Sequence, residues 1–599
     1  MSGMDQGHKG NGGQEIPRTR RWMGPLYIAL TAALAVLPQI IRGTSCGHDF
    51  DFHLVSWIDA LASWRHGIFY PHWATTPNYN AGEPRFVFYP PLTWMLGAAL
   101  GAVLPWIWVP PAMTFLLLTG TGLATRALAR QALPLGAATL AGCIAIFSGY
   151  TLYSVYERSA FAELAGGIWI PLLLLLVLRQ GEQGNFWARI FDSSAAGLTL
   201  VIAASWLSNA PLGVMACYLL AAFAVAVSAT RRTCVPVLRA FFGATVGLAL
   251  AAFYLLPAAA EQKWVDIRQA TEDPGEKIQN SFLFGHHADP QLALHDAELH
   301  RVSWIATGML LAIAVALLLA WRRRALPGGR TWWLPLALIP AAVLVLQLPL
   351  SLPLWDLLPK MRFLQFPWRW LVVLTAPLGI FLAAAMWPAE RARRNLVIGV
   401  SALGFVGLAV FAGRTFFEAC DQYDAIPGML EDYHAGDGFQ GTDEYAPARA
   451  DNSLVASNLP AGCLVHDPKQ QLGKSSPDDA QPSWAAKQGS CVTAIAEPAR
   501  ADARHWSARG QMPAPGYLVL RLRRYPAWDV TLNGRHATDL GSREDGLIVL
   551  PVSAGPVAID ADWQSTPDAT RGRWISLGAA ALLLALCALT RRRSRARIK

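Results

Sequence analysis

WMGPLYIALTAALAVLPQII at 22–41 carries no charge, and RGTSCGHDFDFH at 42–53 follows it directly. A helix needs about 20 apolar residues to cross a bilayer core, and the run has that length. No small-residue cleavage site follows, so it reads as an uncleaved signal anchor. Arg18, Arg20 and Arg21 precede it, which places the N-terminus in the cytoplasm and GHDFDFH on the outer face.

Similar apolar runs recur along the chain, at 88–104, 107–125, 132–149, 164–178, 195–210, 212–230, 241–260, 302–320, 331–353, 370–388, 395–413 and 574–590. Parity tests them. Arg126 and Arg130, Arg179 and Arg189, Arg231 and Arg232, Arg322 to Arg324, Arg391 to Arg394, and the basic tail 591–599 should all face the cytoplasm. Counting 88–104 as a full span breaks this for every cluster. Treating it as re-entrant or interfacial repairs every case, and the aromatic, double-proline start FVFYPPLTW at 86–94 suits that. The expected fold is a polytopic α-helical membrane protein with about 12 spans and one partial element, 13 spans being the alternative.

Composition agrees. The chain is 53% hydrophobic and 15% charged, with 24 Trp, against about 25% charged in a soluble protein. That excludes an ordinary cytosolic enzyme and a disordered chain. The net charge is +9, yet residues 414–572 hold 21 acidic and 14 basic side chains. The excess of positive charge therefore lies in short loops between apolar runs. That is cytoplasmic loop charge, not a nucleic-acid footprint. No nucleic-acid partner is expected.

The organisation follows. A cytoplasmic tail covers 1–21, and a transmembrane domain 22–413 includes a first outer loop at 42–87. An outward, mostly β domain covers 414–573, a final helix 574–590 and a basic tail 591–599. In the outward domain YLVLRLRR at 517–524 alternates as a half-buried strand does. Residues 528–532 run into Asn533 and Gly534, a type I′ hairpin signal. Residues 547–552 and 557–563 read as two further strands around Gly555 and Pro556. An antiparallel sandwich is expected. Cys46, Cys420, Cys463 and Cys491 fall outside, where disulfides persist. Cys463 with Cys491 is the best-placed pair, and free thiols are the equal alternative.

Outward residues carry the candidate chemistry. GHDFDFH packs His48, Asp49, Asp51 and His53 at the outer membrane surface. A carboxylate there can act as a general base or bind a cation; the plainer reading is a solvated loop. If extended, the stretch puts Asp49 and Asp51 on one face, and if helical, Asp49 and His53. The segment 54–66 has the spacing of a helix lying along the membrane surface. Trp73, Asn80 and Arg85 follow, and Trp73 would stack on a sugar or sit in an interfacial belt. YERSAFAE at 156–163 offers Arg158 to a phosphate, with an ion pair to Glu157 or Glu163 as the alternative. Asn209 and Pro211 form a tight outward turn. At 352–370 Lys360, Arg362 and Arg369 lie among aromatics, as phosphate forks or as snorkelling cations. His286, His287, His295, Asp296 and His300 have no defined ligand spacing, so a divalent cation stays a possibility and no metal ligand is assigned.

GHDFDFH, YPHW at 70–73, FVFYPPL, RSAFAE, LSNAPLG at 207–213, AAFYLLPAAAE at 251–261 and QFPWR at 365–369 occur in that order. Together they resemble the bacterial membrane proteins labelled 6-pyruvoyl-tetrahydropterin synthase-related. That group is in turn similar to the GT-C superfamily of polytopic glycosyltransferases. YPAWDVTLNG at 525–534 resembles the end of its YfhO-like branch. The label names a domain; the sequence carries no pterin-enzyme zinc site. The resemblance implies a bacterial cytoplasmic (inner) membrane protein with an outward active face. It would take a sugar from a polyprenyl-phosphate carrier, without a nucleotide, and pass it to a lipid, glycan or protein acceptor. It implies Asp49 as base, Asp51 second, and Arg158 and Arg369 at the phosphate. Asp-Phe-Asp stands where the superfamily has DxD or EED, which leaves the metal requirement open. The candidate set is then Asp49, Asp51 and His53 for catalysis, and Arg158, Glu163, Asn209, Arg369, Arg85 and Trp73 for binding. The competing class is a non-enzymatic transporter or assembly factor for lipid-linked envelope glycans. It would hold a phosphate headgroup with the same cations.

Overall fold

The computed structural model describes residues 18–179, 185–477 and 479–598. Most of the expected tail 1–21, and the side chains of the basic tail 591–599, lie outside the described residues. Among the described residues nine helices are long and apolar enough to cross a bilayer. Three bent pairs make twelve when each counts as one span. The bends are 41° between Leu135–Ile146 and Gly149–Tyr156, 72° between Val235–Leu250 and Ala252–Trp264, and 95° between Arg330–Leu346 and Pro349–Leu357. Two bends have plain causes. Ser148 caps the helix after the first by accepting from the Thr151 N–H, and Pro349 opens the segment after the third with no N–H to give.

The stretch 88–104 forms only the 11-residue helix Pro91–Gly101. It is about 16 Å long, half of a core of about 30 Å. The 13-span alternative falls on this length, and the helix is the partial element. Contacts bring cation-bearing helix ends together in pairs. Arg126 lies against Gly24, Arg323 donates to the Ala385 carbonyl at 2.7 Å, and Arg239 donates to the Arg179 carbonyl at 3.2 Å. Small residues let the helices close up, as lipid-embedded bundles require. A Cβ on Gly142 would stand 2.4 Å from the Gly122 carbonyl oxygen.

One end of the bundle is built from the first outer loop and the strands. Helix Phe50–Arg65 does not lie on a membrane surface as its spacing suggested. It is buried on most sides, against Pro91–Gly101 and under the chain at 74–84. Its Asp59 is held inside by the Thr75 and Thr76 hydroxyls at 3.1 and 2.9 Å.

The strands make two antiparallel sheets. One has the order Val492–Ile495, Gly462–Val465, Gly516–Arg523, Leu547–Val552. The other has Arg500–Ala501, His505–Met512, Gly555–Trp563, Trp528–Leu532, Arg535–His536. Asn533 and Gly534 take positive φ of 51° and 74°, the hairpin the sequence announces. The expected half-buried strand at 517–524 is instead covered on both faces. Leu518, Leu520 and Leu522 face the second sheet, while Val519 packs under Ala456, Leu459 and Leu472. Even Arg523 is buried, donating to Asn78 Oδ1 at 2.7 Å. The expected pair Cys463 with Cys491 closes, and a second disulfide, which the sequence did not pair, joins Cys46 to Cys420 across 374 positions.

Trp73 is the main dock between the loop and the strands. It is 2% exposed and lies 5.4 Å from the Trp528 ring and 5.7 Å from Trp563. Trp73→Phe is expected to destabilise the protein by about 1–2 kcal/mol through the lost ring volume. Thermal unfolding of the purified protein checks this; an unchanged melting temperature would remove Trp73 as the dock.

Candidate functional site

The segment 45–49 is zipped to 156–159. Ser45 Oγ donates to the Tyr156 carbonyl at 2.6 Å, and Ser159 Oγ donates to the Ser45 carbonyl at 2.7 Å. The Gly47 N–H donates to Ser159 Oγ at 3.2 Å, and the Asp49 N–H to the Arg158 carbonyl at 2.9 Å. The two backbones run so close that a Cβ on Gly47 would lie 2.3 Å from the Glu157 carbonyl oxygen. Gly47→Ala is therefore expected to cost about 1–2 kcal/mol by forced separation. Gly308→Ala, with nothing within 4 Å of the added carbon, should leave the melting temperature level or higher. Equal melting temperatures for the two variants would contradict the close approach.

The zipper sets Asp49 at the start of helix Phe50–Arg65, where its carboxylate makes no capping bond. It faces Arg158 Nη2 at 3.5 Å and keeps 39% of its side chain exposed. Because the stretch is helical, His53 shares its face and Asp51 does not. The His53 ring is buried, 3.5 Å from the Tyr89 hydroxyl. Burial pushes its pKa down to about 4, so the imidazole is neutral near pH 7 and does not add charge beside Asp49.

Arg158 is buried and joins Asp49 to Glu163, whose Oε2 lies 2.8 Å from Nη1. Burial opposes its charge, but Asp49 and Glu163 outweigh that and raise its pKa. Glu163 also accepts from the Tyr150 hydroxyl. Arg369 Nε stands 3.7 Å from Glu163 Oε2 and makes no hydrogen bond. Its guanidinium lies 5.2 Å from the Phe366 ring centre. Pro367 opens the segment that carries Arg369, and Pro367–Leu374 is a 3₁₀ helix.

These groups line a cavity of about 890 Å³. His48, Asp49, His53, Arg158, Glu163, Asn209 and Arg369 all reach it. Asn209 spends its Oδ1 on the Leu212 N–H at 2.9 Å, capping helix Ala210–Arg231. Three other candidates stand elsewhere. Asp51 is solvent-exposed and does not line the cavity. Arg85 is buried, with Nε 2.7 Å from Glu83 Oε1 and Nη1 3.1 Å from Ser56 Oγ. Trp73 is the dock described above. Among the described residues no three His, Cys, Asp or Glu side chains stand placed to hold a metal ion. Of the histidines of 286–300, His286 and His287 both meet Asp296, at 3.1 and 2.6 Å, His295 turns to the Asn280 carbonyl at 3.0 Å, and His300 meets Trp304.

The cavity also holds residues the sequence did not single out. Lys360, a candidate from its position, is joined by Gln262 at 3.3 Å. Among the described residues no carboxylate lies within 4.0 Å of its Nζ. Glu298 and Arg301 come from one helix, Ala293–Arg322, Glu276 from the loop before it, and Glu444 from far along the chain. Burial raises the pKa of Glu276 and pushes Glu444 up to about 7. Glu276 Oε2 is buried without a hydrogen bond. Apolar walls come from Trp206, Val214, Leu248 and Leu255. The cavity thus joins a solvent-reaching carboxylate, several cations and hydrocarbon-lined sides at one end of the bundle.

Residues 86–416, more than half of the chain, match the family described as 6-pyruvoyl-tetrahydropterin synthase related domain, membrane protein. No curated protein matches the chain. Among solved structures it is similar to the oligosaccharyltransferase of Archaeoglobus fulgidus in the apo form, with 13% identity, 72% of this chain and 62% of that one covered, and a TM-score of 0.40. It is similar also to the archaeal oligosaccharyltransferase AglB from Archaeoglobus fulgidus in complex with an inhibitory peptide and a dolichol-phosphate. That match has 12% identity, 72% and 61% coverage, and a TM-score of 0.41. The chain spans about three fifths of the length of these proteins.

Proposed function

The chain belongs to the 6-pyruvoyl-tetrahydropterin synthase related family of membrane proteins, and from that premise we propose that it is a glycosyltransferase. It takes a sugar from a polyprenyl-phosphate carrier and passes it to a hydroxyl or other nucleophile on a lipid, glycan or protein. The site faces outward from a bacterial cytoplasmic membrane, opposite the cation clusters.

Asp49 removes the proton as the acceptor attacks the anomeric carbon. The bond from that carbon to the phosphate oxygen breaks, and the configuration inverts. Arg369 and Lys360 hold the departing phosphate, whose growing charge they offset. Arg158 is largely neutralised by Asp49 and Glu163, so it positions Asp49 instead of carrying the phosphate. The walls of Trp206, Val214, Leu248 and Leu255 accept the polyprenyl chain. The observation that carries this reading is the shared cavity: Asp49, half-exposed and free of capping duty, opens into the same space as Arg369 and Lys360.

The test is mass spectrometry of polyprenyl-phosphate sugars and envelope glycans from cells with and without the gene. The proposal expects a sugar-charged carrier to accumulate and one glycan to lose that sugar when the gene is absent. If instead a completed lipid-linked glycan builds up with its sugars intact, the transporter or assembly-factor reading replaces this one.

A further inference from the structure

Behind Arg158 the chain carries an ion pair that the reaction itself does not use. Glu157 is 1% exposed, and its Oε1 lies 2.5 Å from Arg301 Nη1. Its Oε2 is buried with no hydrogen bond. Arg301 stands on helix Ala293–Arg322 and lines the cavity. Its Nη1 also lies 4.0 Å from Glu418. The Glu418 backbone in turn accepts from the Cys46 N–H at 3.0 Å and donates its own N–H to Ser45 Oγ at 3.0 Å. Next to those contacts, Cys420 closes the disulfide to Cys46. One guanidinium therefore ties a transmembrane helix to both strands of the zipper that sets Asp49.

We infer that Arg301 and Glu157 are positioning residues for Asp49, and that loss of the Arg301 guanidinium loosens the zipper at 45–49 and 156–159. This rests on the glycosyl-transfer reading only for its purpose; the brace itself is a property of the fold. Breaking the pair frees Arg301 to swing into the cavity, since 43% of its side chain is already exposed. The segment 156–159 then keeps only its backbone and hydroxyl bonds to 45–49.

The charge on Glu157 is poised. Burial raises its pKa to about 7, Arg301 pulls it down, and the neighbouring carboxylates Glu418 and Glu298 push it up, with His48 pulling down. On its own strand Arg158 is committed to Asp49 and Glu163, and Tyr153 donates to Glu298 at 2.7 Å. The folded value lies above the ordinary 4.5, so the ionised pair is the less stable form of the fold. Ionised Glu157 is therefore held in the closed fold at a cost that Arg301 offsets, and that cost disappears as pH falls below about 7 and the carboxyl is protonated.

Hydrogen–deuterium exchange of the full chain in lipid nanodiscs tests this without any substrate, so it stands apart from the transfer reading. With intrinsic exchange rates corrected for pH, protection of the Gly47 and Asp49 amides in Arg301→Gln should lie about fivefold below wild type at pH 8.5 and approach it at pH 5.5, where Glu157 is protonated. Arg301→Lys, which keeps the charge, should lose less, and Arg301→Gln combined with Glu157→Gln, which buries no unpaired carboxylate, should lose the pH dependence. Amides of strand Gly516–Arg523 should not follow the trend. Arg301→Lys serves should Arg301→Gln fail to fold: wild-type protection of Gly47 and Asp49 at pH 8.5 in the folded variant overturns the inference.

Discussion

Asp49→Asn is expected to slow sugar transfer by about 10²–10⁴-fold while the protein stays folded, the range for loss of a general base. The amide keeps the size of the side chain but cannot take the acceptor's proton. The backbone bond from the Asp49 N–H to the Arg158 carbonyl does not involve the carboxylate, so the helix start survives. What is lost is the 3.5 Å pairing with Arg158, and Glu163 still balances that guanidinium at 2.8 Å. Asp51→Asn should keep transfer near wild type, because Asp51 faces solvent. Transfer rates and melting temperatures of both purified variants make the comparison. Full activity in Asp49→Asn with loss in Asp51→Asn would move the base to the opposite face of the helix.

Arg369→Ala is expected to weaken polyprenyl-phosphate binding by about 10–100-fold, the worth of a charge-assisted contact of roughly 1.5–3 kcal/mol. Arg369→Lys should lose less, since it keeps the charge but not the two-pronged donor geometry. The competing role is structural. Arg369 lies 3.7 Å from Glu163 and against Phe366, so its removal also unbalances a buried carboxylate. Binding and melting temperature measured on the same variants separate the two. Unchanged affinity with a lowered melting temperature would take Arg369 out of the site and leave Lys360 as the phosphate contact.

Much of the architecture was legible because a bilayer imposes a length rule on every span. Runs such as 22–41 announce themselves, and charge parity even demoted 88–104 to a partial element. The sandwich was legible from Asn533 and Gly534 and from the two strands read at 547–552 and 557–563 around Gly555 and Pro556. Burial on both faces of 517–524 was not, because the cover comes from Ala456, Leu459 and Leu472, in a stretch without strand periodicity.

The site divides in the same way. GHDFDFH left two faces open, and only the helix start at Phe50 chooses Asp49 with His53 over Asp49 with Asp51. Arg85 and Trp73 have the residue types of a sugar site. The structure commits them to Glu83 and to the strand domain, partners that local spacing does not reveal. Glu276, Glu298 and Glu444 carried no motif and reach the cavity through long-range folding. The bond from Cys46 to Cys420 crosses 374 positions, beyond any local pairing rule. The topology read from the sequence puts both partners in segments on the same side, and that much it supplied.

The most direct measurement is the fate of the donor. Purified wild-type protein and Asp49→Asn in nanodiscs are each mixed with a lipid extract from cells lacking the gene, and polyprenyl-phosphate sugars are followed by mass spectrometry. The account predicts that wild type consumes one sugar-charged carrier and releases free polyprenyl phosphate in equal amount, while Asp49→Asn consumes it at least about 100-fold more slowly. Consumption of that carrier at the same rate by both proteins would contradict it.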